Sequence, residues 1–292
     1  MKPSRCLGIS FLAFLLLLPL IGITALSQER GKAEEYVGSD TCQGCHQELY
    51  EGFKKSDPHW KSLADPKIPE GKKGCESCHG QGTKHAEAMG KGFILSFQNE
   101  NAKDRSDACL KCHRSDKKLF QFERSVHKLT AVGCSDCHRI HGTRVAKKLL
   151  KEKDPGLCFS CHGDVKSKFY LPNRHPVLQG AMNCSDCHTP HGTRARASLR
   201  KWSKFTLGDD DACFKCHPDK RGPWVFEHQA VKVEGCSICH VPHGSPNRFL
   251  LTRRDIRTLC IECHGQPHFP GNSCVNCHTQ IHGSNFSSRF LQ

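Results

Sequence analysis

Ten times along the chain the pattern Cys-x-x-Cys-His recurs, and any fold proposed for it must find a use for twenty cysteines with ten adjoining histidines. The first five are Cys42, Cys45 and His46; Cys75, Cys78 and His79; Cys109, Cys112 and His113; Cys134, Cys137 and His138; and Cys158, Cys161 and His162. The second five are Cys184, Cys187 and His188; Cys213, Cys216 and His217; Cys236, Cys239 and His240; Cys260, Cys263 and His264; and Cys274, Cys277 and His278. Cys6 alone lies outside them. Hydrophobic residues make up 37% of the 292 with Cys counted, and about 30% without it, a thin supply for a core. Runs of Val, Ile and Leu with strand periodicity are absent after residue 26, which disfavours a doubly wound nucleotide enzyme and a β-sandwich alike.

In an exported chain many cysteines ordinarily mean a disulfide framework. Here the spacing decides otherwise. C-x-x-C-H is the attachment signature of c-type haem: two thiols add to the vinyl groups on one edge of a porphyrin, and the adjacent His is held over the ring to ligate iron. Zinc would join two C-x-x-C units per ion and gives no reason for a His after all ten, and a redox dithiol gives none either. The expected cofactor is therefore ten covalently attached haems c.

Ten further histidines remain: His59, His85, His127, His141, His175, His191, His228, His243, His268 and His282. Ten spare imidazoles for ten irons point to bis-His ligation, with the pairing open. Methionine cannot serve generally, since only Met89 and Met182 follow the amino-terminal segment. Without Met/His ligation the centres belong on the low-potential side.

The spare histidines also repeat in order. Five successive units, approximately 40–90, 105–145, 155–195, 210–247 and 257–285, each hold two motifs, one spare His between them and one after the second. His127 leads into GCSDCHRIHGTR, His175 into NCSDCHTPHGTR and His228 into GCSICHVPHGS. Three residues span at most roughly 10 to 11 Å, too little to pass around a porphyrin to its opposite face. His141, His191 and His243 therefore cannot close the haem of the His three positions earlier, and each must reach a neighbouring one. Successive first cysteines are never more than 34 residues apart, which leaves no haem-free catalytic domain. The fold expected is mostly irregular with short α-helices and almost no sheet: a haem-packed multihaem cytochrome c, elongated as five two-haem repeats.

Lys2 and Arg5 precede an apolar run from Leu7 to Ile23, and Ala25-Leu26-Ser27 offers small residues at a cleavage site. This reads as a Sec signal peptide over 1–27, with a short membrane anchor as the alternative. Cys6 leaves with it, and residues 28–292 form an exported decahaem domain with no transmembrane helix.

The formal charge of +14 is not a nucleic-acid signature. Losing Lys2 and Arg5 leaves +12, and ten bis-His ferric haems at about −1 each bring it to about +2, or about −8 reduced. Lys and Arg then offset propionates, and Trp60, Trp202 and Trp224 are expected on porphyrin faces. Gly80-Gln81-Gly82 lacks the strand and third Gly of a dinucleotide fingerprint.

With its ten motifs, the CESCHGQGTKH segment from Cys75 to His85 and the recurring CSDCH-x-x-HG, the chain resembles the decahaem c-type cytochromes of the MtrA/PioA/DmsE family over essentially all of its mature length. The resemblance implies a periplasmic electron carrier with bis-His haems in a roughly linear chain. Its partners would be periplasmic or inner-membrane cytochromes, with an outer-membrane β-barrel and a surface cytochrome in some members and an exported terminal reductase in others. A haem with two protein ligands has no open position for substrate, so the expectation is electron transfer without catalysis. Ten macrocycles at roughly 10 Å each make about 100 Å, longer than the roughly 40 to 45 Å of a bilayer. The alternatives are a multihaem oxidoreductase acting on nitrite, hydroxylamine or a sulfur oxyanion, which needs at least one five-coordinate haem, and a subunit of an extracellular haem filament.

Overall fold

The computed structural model describes residues 36–69, 73–142, 147–200, 211–265, 268 and 271–291. Tyr36–Gln292 form one unit; the leader expected at 1–27, and Trp202, lie outside the described residues. The regular structure is a series of short helices: α1 (Ser39–Gln43), α2 (Gln47–Ser56), α3 (Pro58–Leu63), α4 (Glu76–His79), α5 (Thr83–Glu87), α6 (Ala102–His113), α7 (Val126–Leu129), α8 (Cys134–Cys137), α9 (Gly156–Phe159), α10 (Gly163–Lys168), α11 (Cys184–Cys187), α12 (Asp211–Phe214) and α13 (Ile256–Ile261). Strand pairing among the described residues is confined to isolated bridges, such as His138 with Leu150 and His188 with Leu199. No helix among them is long and apolar enough to cross a membrane.

The motifs explain why the helices are short. In motif after motif the amide of the His donates to the carbonyl of the first Cys, as from His46 to Cys42 at 2.9 Å, His138 to Cys134 at 2.9 Å and His217 to Cys213 at 3.0 Å. One turn of this kind sets positions i, i+3 and i+4 on one face, so both thiols and the imidazole converge. Beyond it the chain is released: His138 and His188 end α8 and α11 in extended backbone, whereas His79 and His113 stay inside α4 and α6. Local acids start these turns. Asp136 and Asp186 reach back to the amides of Gly133 and Asn183 at 2.7 and 2.8 Å. Asn101 caps α6, accepting from the Asp104 amide at 3.0 Å. Asp57 and Pro58 end α2 and begin α3, because the residue before proline is steered out of helical backbone.

After each of three even-numbered motifs the chain turns back on itself. Arg139 donates to the Leu149 carbonyl at 2.7 Å and Lys151 to the Cys137 carbonyl at 2.9 Å; Thr189 with Ser198 and Arg200 with Cys187 repeat this, as do Val241 with Leu250 and Thr252 with Cys239. Each return contains two consecutive left-handed residues that are not glycine: Lys148 and Leu149, Ala197 and Ser198, Phe249 and Leu250, with φ between 51° and 61°. Such backbone costs about 1 to 2 kcal/mol per residue and persists only where its surroundings over-determine it.

The polypeptide's own core is small. Among the described residues the buried apolar set is Phe53, Ala108, Leu110, Phe122, Phe169, Val177, Ala195 and Ala212, and it is matched by buried polar residues such as Asp57, Glu76, Ser106 and Asp211. The Glu76 carboxylate gathers the amides of Val37, Gly38 and Gly82 at 3.1, 2.9 and 2.7 Å, fastening the start of the unit to the second motif.

Candidate functional site

Each motif histidine faces one of the ten others. The ring centroids lie 6.3 Å apart for His46 and His85, 6.0 Å for His79 and His141, 5.9 Å for His113 and His59, 6.1 Å for His138 and His191, and 6.1 Å for His162 and His127. They lie 5.9 Å apart for His188 and His243, 6.4 Å for His217 and His175, 6.3 Å for His240 and His282, 6.1 Å for His264 and His228, and 5.9 Å for His278 and His268. Metal–imidazole bonds of about 2.0 Å with a ring radius of about 1.15 Å put two trans imidazoles about 6.3 Å apart, while a tetrahedral ion would draw them to about 5.1 Å. The spacing fits two axial ligands on opposite faces of one iron.

The pairing follows a rule that the sequence left open. In units one to four the first spare His reaches forward to the first motif of the next unit: His59 to His113, His127 to His162, His175 to His217 and His228 to His264. In units two to five the second reaches back to the second motif of the preceding unit: His141 to His79, His191 to His138, His243 to His188 and His282 to His240. Only the ends close within themselves, His85 on His46 and His268 on His278. None of His141, His191 and His243 pairs with the His three positions before it, in keeping with the reach of three residues.

Among the described residues, several of the ring nitrogens turned away from these pairs are held by acceptors. Motif histidines His79, His138, His188, His240 and His278 give Nδ1–H to the carbonyls of Leu95, Lys148, Ala197, Phe249 and Arg289, at 2.6 to 2.9 Å. The carbonyls of Lys148, Ala197 and Phe249 belong to the left-handed returns, so that backbone strain aims an acceptor at a motif His. His127, His175 and His228 give theirs to the carbonyls of Pro190, Pro242 and Ile281 at 3.0, 2.6 and 2.9 Å, each the residue before a back-reaching His. A carbonyl only accepts, so Nδ1 carries the proton and Nε2 the lone pair, the arrangement of a metal-ligating histidine.

The back-reaching rings are also kept neutral. Burial, and then the facing His138, hold the pKa of His191 down to about 4. Burial lowers His141, His243 and His282 as well. Three of these rings lean on a buried phenylalanine of the preceding unit: His141 on Phe53 at 5.4 Å, His191 on Phe122 at 6.4 Å and His243 on Phe169 at 5.5 Å. The glycine after them explains the HG dipeptide. A Cβ on Gly192, whose φ is 87°, would meet Ser125 Cβ at 2.8 Å and the Gln121 carbonyl at 2.9 Å, and one on Gly244 would run into the Lys168 carbonyl. Gly192→Ala is expected to lower stability by about 1 to 3 kcal/mol, read by chemical denaturation of the holoprotein.

The sulfurs line up in chain order. Within a unit the first cysteines face each other: a hydrogen bond from Cys42 draws the Cys75 thiol down to about 6, and Cys109 does the same to Cys134. Cys158 and Cys184 pair likewise, as do Cys260 and Cys274. Between units, Cys78 lies near Cys112, Cys137 near Cys158 and Cys161, Cys187 near Cys213 and Cys216, and Cys239 near Cys263; burial is the main cause that pushes these four thiols up. Asp154 joins Cys158 and Cys184 in a cluster whose ligand atoms all lie within 4.8 Å. Its oxygens accept from the amides of Cys184 and Ser185 at 2.9 Å. Burial works against ionisation of Asp154, and these amides outweigh it and hold the carboxyl below its ordinary range. The cluster is thus accounted for by an acid that positions the sixth motif against the fifth.

The doubled CXXCH motif family matches residues 127–167, 175–222 and 228–269. The chain is 33% identical over 286 residues to the multihaem cytochrome MtrA of Shewanella baltica, covering 87% of this chain and 81% of that protein. The chain belongs to the MtrA family of multihaem cytochromes. It is also 25% identical over 173 residues to the cytochrome c-type protein NrfB of Haemophilus influenzae, across 58% of this chain and 69% of that one. Covalently bound haem c and electron transfer belong to these motifs, and bound porphyrins would supply apolar bulk that the side chains do not. Among the described residues, three buried side-chain nitrogens without a protein partner, Arg105 Nε, His141 Nδ1 and Trp224 Nε1, fit a group that brings its own carboxylates.

Each doubled-motif match begins at or within a residue of a forward-reaching His and joins a unit's second motif to the next unit's first, half a period out of phase with the units read from the sequence. In that frame His127, His175 and His228 each face a motif His of their own repeat. The left-handed returns and the three phenylalanines went unread in the sequence. The returns did carry a signal, at a nearly constant distance after CSDCH or CSICH in KKLLK, RASLRK and RFLLT. Trp60 packs edge-on against Tyr50 and Phe53 at 5.2 and 5.8 Å.

Proposed function

We propose that the chain binds ten haems c, one on each C-x-x-C-H motif with its two cysteines as thioethers, and that each iron takes the motif His and the facing His as axial ligands. The observation that carries this reading is the set of ten ring pairs, all between 5.9 and 6.4 Å and together using each of the twenty histidines once. Bound haem supplies a reversible one-electron iron couple. The protein's residues do the rest: the sulfurs set the centres in chain order, the exchanged histidines tie each unit to both neighbours, and closure of both axial positions keeps small molecules off the metal.

Such a file conducts electrons and turns over no substrate. We place it in the periplasm, exported by the signal peptide at 1–27, with residues 28–292 carrying electrons from periplasmic or inner-membrane cytochromes toward the outer membrane. There it would be lodged in a β-barrel that delivers to a surface cytochrome or an extracellular acceptor; an exported terminal reductase is the other destination. The test begins with the intact mass of the holoprotein and low-temperature EPR with spins counted against bound haem. Ten haems, all low-spin, are expected. A stoichiometric high-spin signal in the unaltered protein would mean an open iron and turn the reading toward a multihaem oxidoreductase. The conduit role is tested in vesicles carrying the barrel partner and an internal dye, where reduction by an external donor is expected only when the cytochrome is present.

A further inference from the structure

Three of the four forward-reaching histidines give Nδ1–H to the carbonyl just before a back-reaching His. By the same rule His59 would give its proton to the carbonyl of Ile140, the residue before His141. It does not. His59 Nδ1 instead donates to Asp57 Oδ1 at 2.8 Å. The Asp57 side chain is 2% exposed and also accepts from the His59 amide at 2.7 Å. Two positions before the forward-reaching His, units two to four carry Ser125, Asn173 and Phe226, none of them an acid. Ser125 caps α7, while Asn173 and Phe226 bridge to Ser245 and Ser284. Ten histidine ring nitrogens have a named acceptor among the described residues; nine give to a backbone carbonyl and His59 alone to a carboxylate.

We infer that Asp57 tunes the third centre of the file: its carboxylate lowers the reduction potential of the haem on Cys109, Cys112 and His113 below those of the haems on His162, His217 and His264. The inference rests on the reading of ten bis-His haems. A carboxylate pulls on the Nδ1 proton harder than a neutral carbonyl does, which raises the basicity of Nε2 and favours ferric over ferrous iron. Its burial leaves little water to screen the charge.

Asp57→Asn removes the charge and little else, because an asparagine oxygen still accepts from His59 and asparagine is as good a helix cap as aspartate. In a potentiometric titration of the full-length holoprotein, followed at the haem absorbance and by EPR, one tenth of the signal should move to higher potential. The expected change is at least tenfold in its reduction equilibrium, which is 59 mV for a one-electron couple. If no component moves by that factor while all ten haems stay low-spin, Asp57 has no tuning role and the ten-haem reading stands. A high-spin tenth in the variant would mean that Asp57 only holds His59 in place, and would overturn the inference. Fewer than ten low-spin haems in the unaltered protein would overturn the reading beneath it.

Discussion

Replacing His191 by Ala is expected to leave ten covalent haems and to turn one tenth of the iron high-spin and open to cyanide or carbon monoxide. The opened centre should be that of His138, 53 residues earlier, and not that of His188 three positions away, because the His191 ring lies 6.1 Å from His138. The lesion is large because nothing stands in for the lost ring: the adjoining Phe122 offers only an apolar edge. Assignment needs a second background. Cys134→Ala with Cys137→Ala removes the haem of the fourth motif and leaves nine; adding His191→Ala there should produce no high-spin signal. A high-spin signal that survives in that background would place His191 on some other iron. The free imidazole also makes the variant reversible, since added imidazole should return the open tenth to low spin.

Much of this site was legible in the sequence, and the division follows the range of the forces involved. The motif turn is local: a hydrogen bond from His138 to Cys134 needs four residues, so C-x-x-C-H announces where two sulfurs and an imidazole converge. Counting spare histidines gave ten imidazoles for ten motifs, and the structure sets each of them opposite a motif His. The pairing was not readable. His79 and His141 are 62 residues apart, and nothing in CESCHG or in CHRIHG names the other; they meet because Phe53 supports the His141 ring from the first unit. Chain reach excluded His138 as the mate of His141 without choosing among the remaining motifs. Asp57 illustrates a subtler limit. SDPH reads as a helix cap before proline, which it is, and the second duty of the same oxygen toward the His59 ring emerges only when the other units are laid beside it. The left-handed returns were hidden for the reverse reason: Lys148, Ala197 and Phe249 are poor residues for that backbone, so local propensity argued against the conformation they adopt.

Cutting the chain after Thr252 is expected to give a protein of eight haems with one of them open. The cut removes the motifs of Cys260 and Cys274, so two haems go with it. It also removes His282, whose ring lies 6.3 Å from His240, while keeping the Phe249 carbonyl that holds His240 from behind. One eighth of the iron should therefore become high-spin, at His240, although its own motif is untouched. If the repeats were independent two-haem modules, all eight would remain low-spin, and the two outcomes separate cleanly by EPR and by cyanide binding. The full-length variant His282→Ala provides the same open centre without the cut: one tenth high-spin, with the haem of His278 still closed by His268 at 5.9 Å. The other end of the severed interface reports as well. His228 loses both its facing ring, His264, and the Ile281 carbonyl that orients it, and becomes a free imidazole. No interior unit pairs either of its motif histidines with a spare His of its own; only the first and last units contain a spare His that folds back on a motif of the same unit. If the facing rings are the ligands proposed above, that exchange would join the five repeats into one conductor, and the truncation measures it directly.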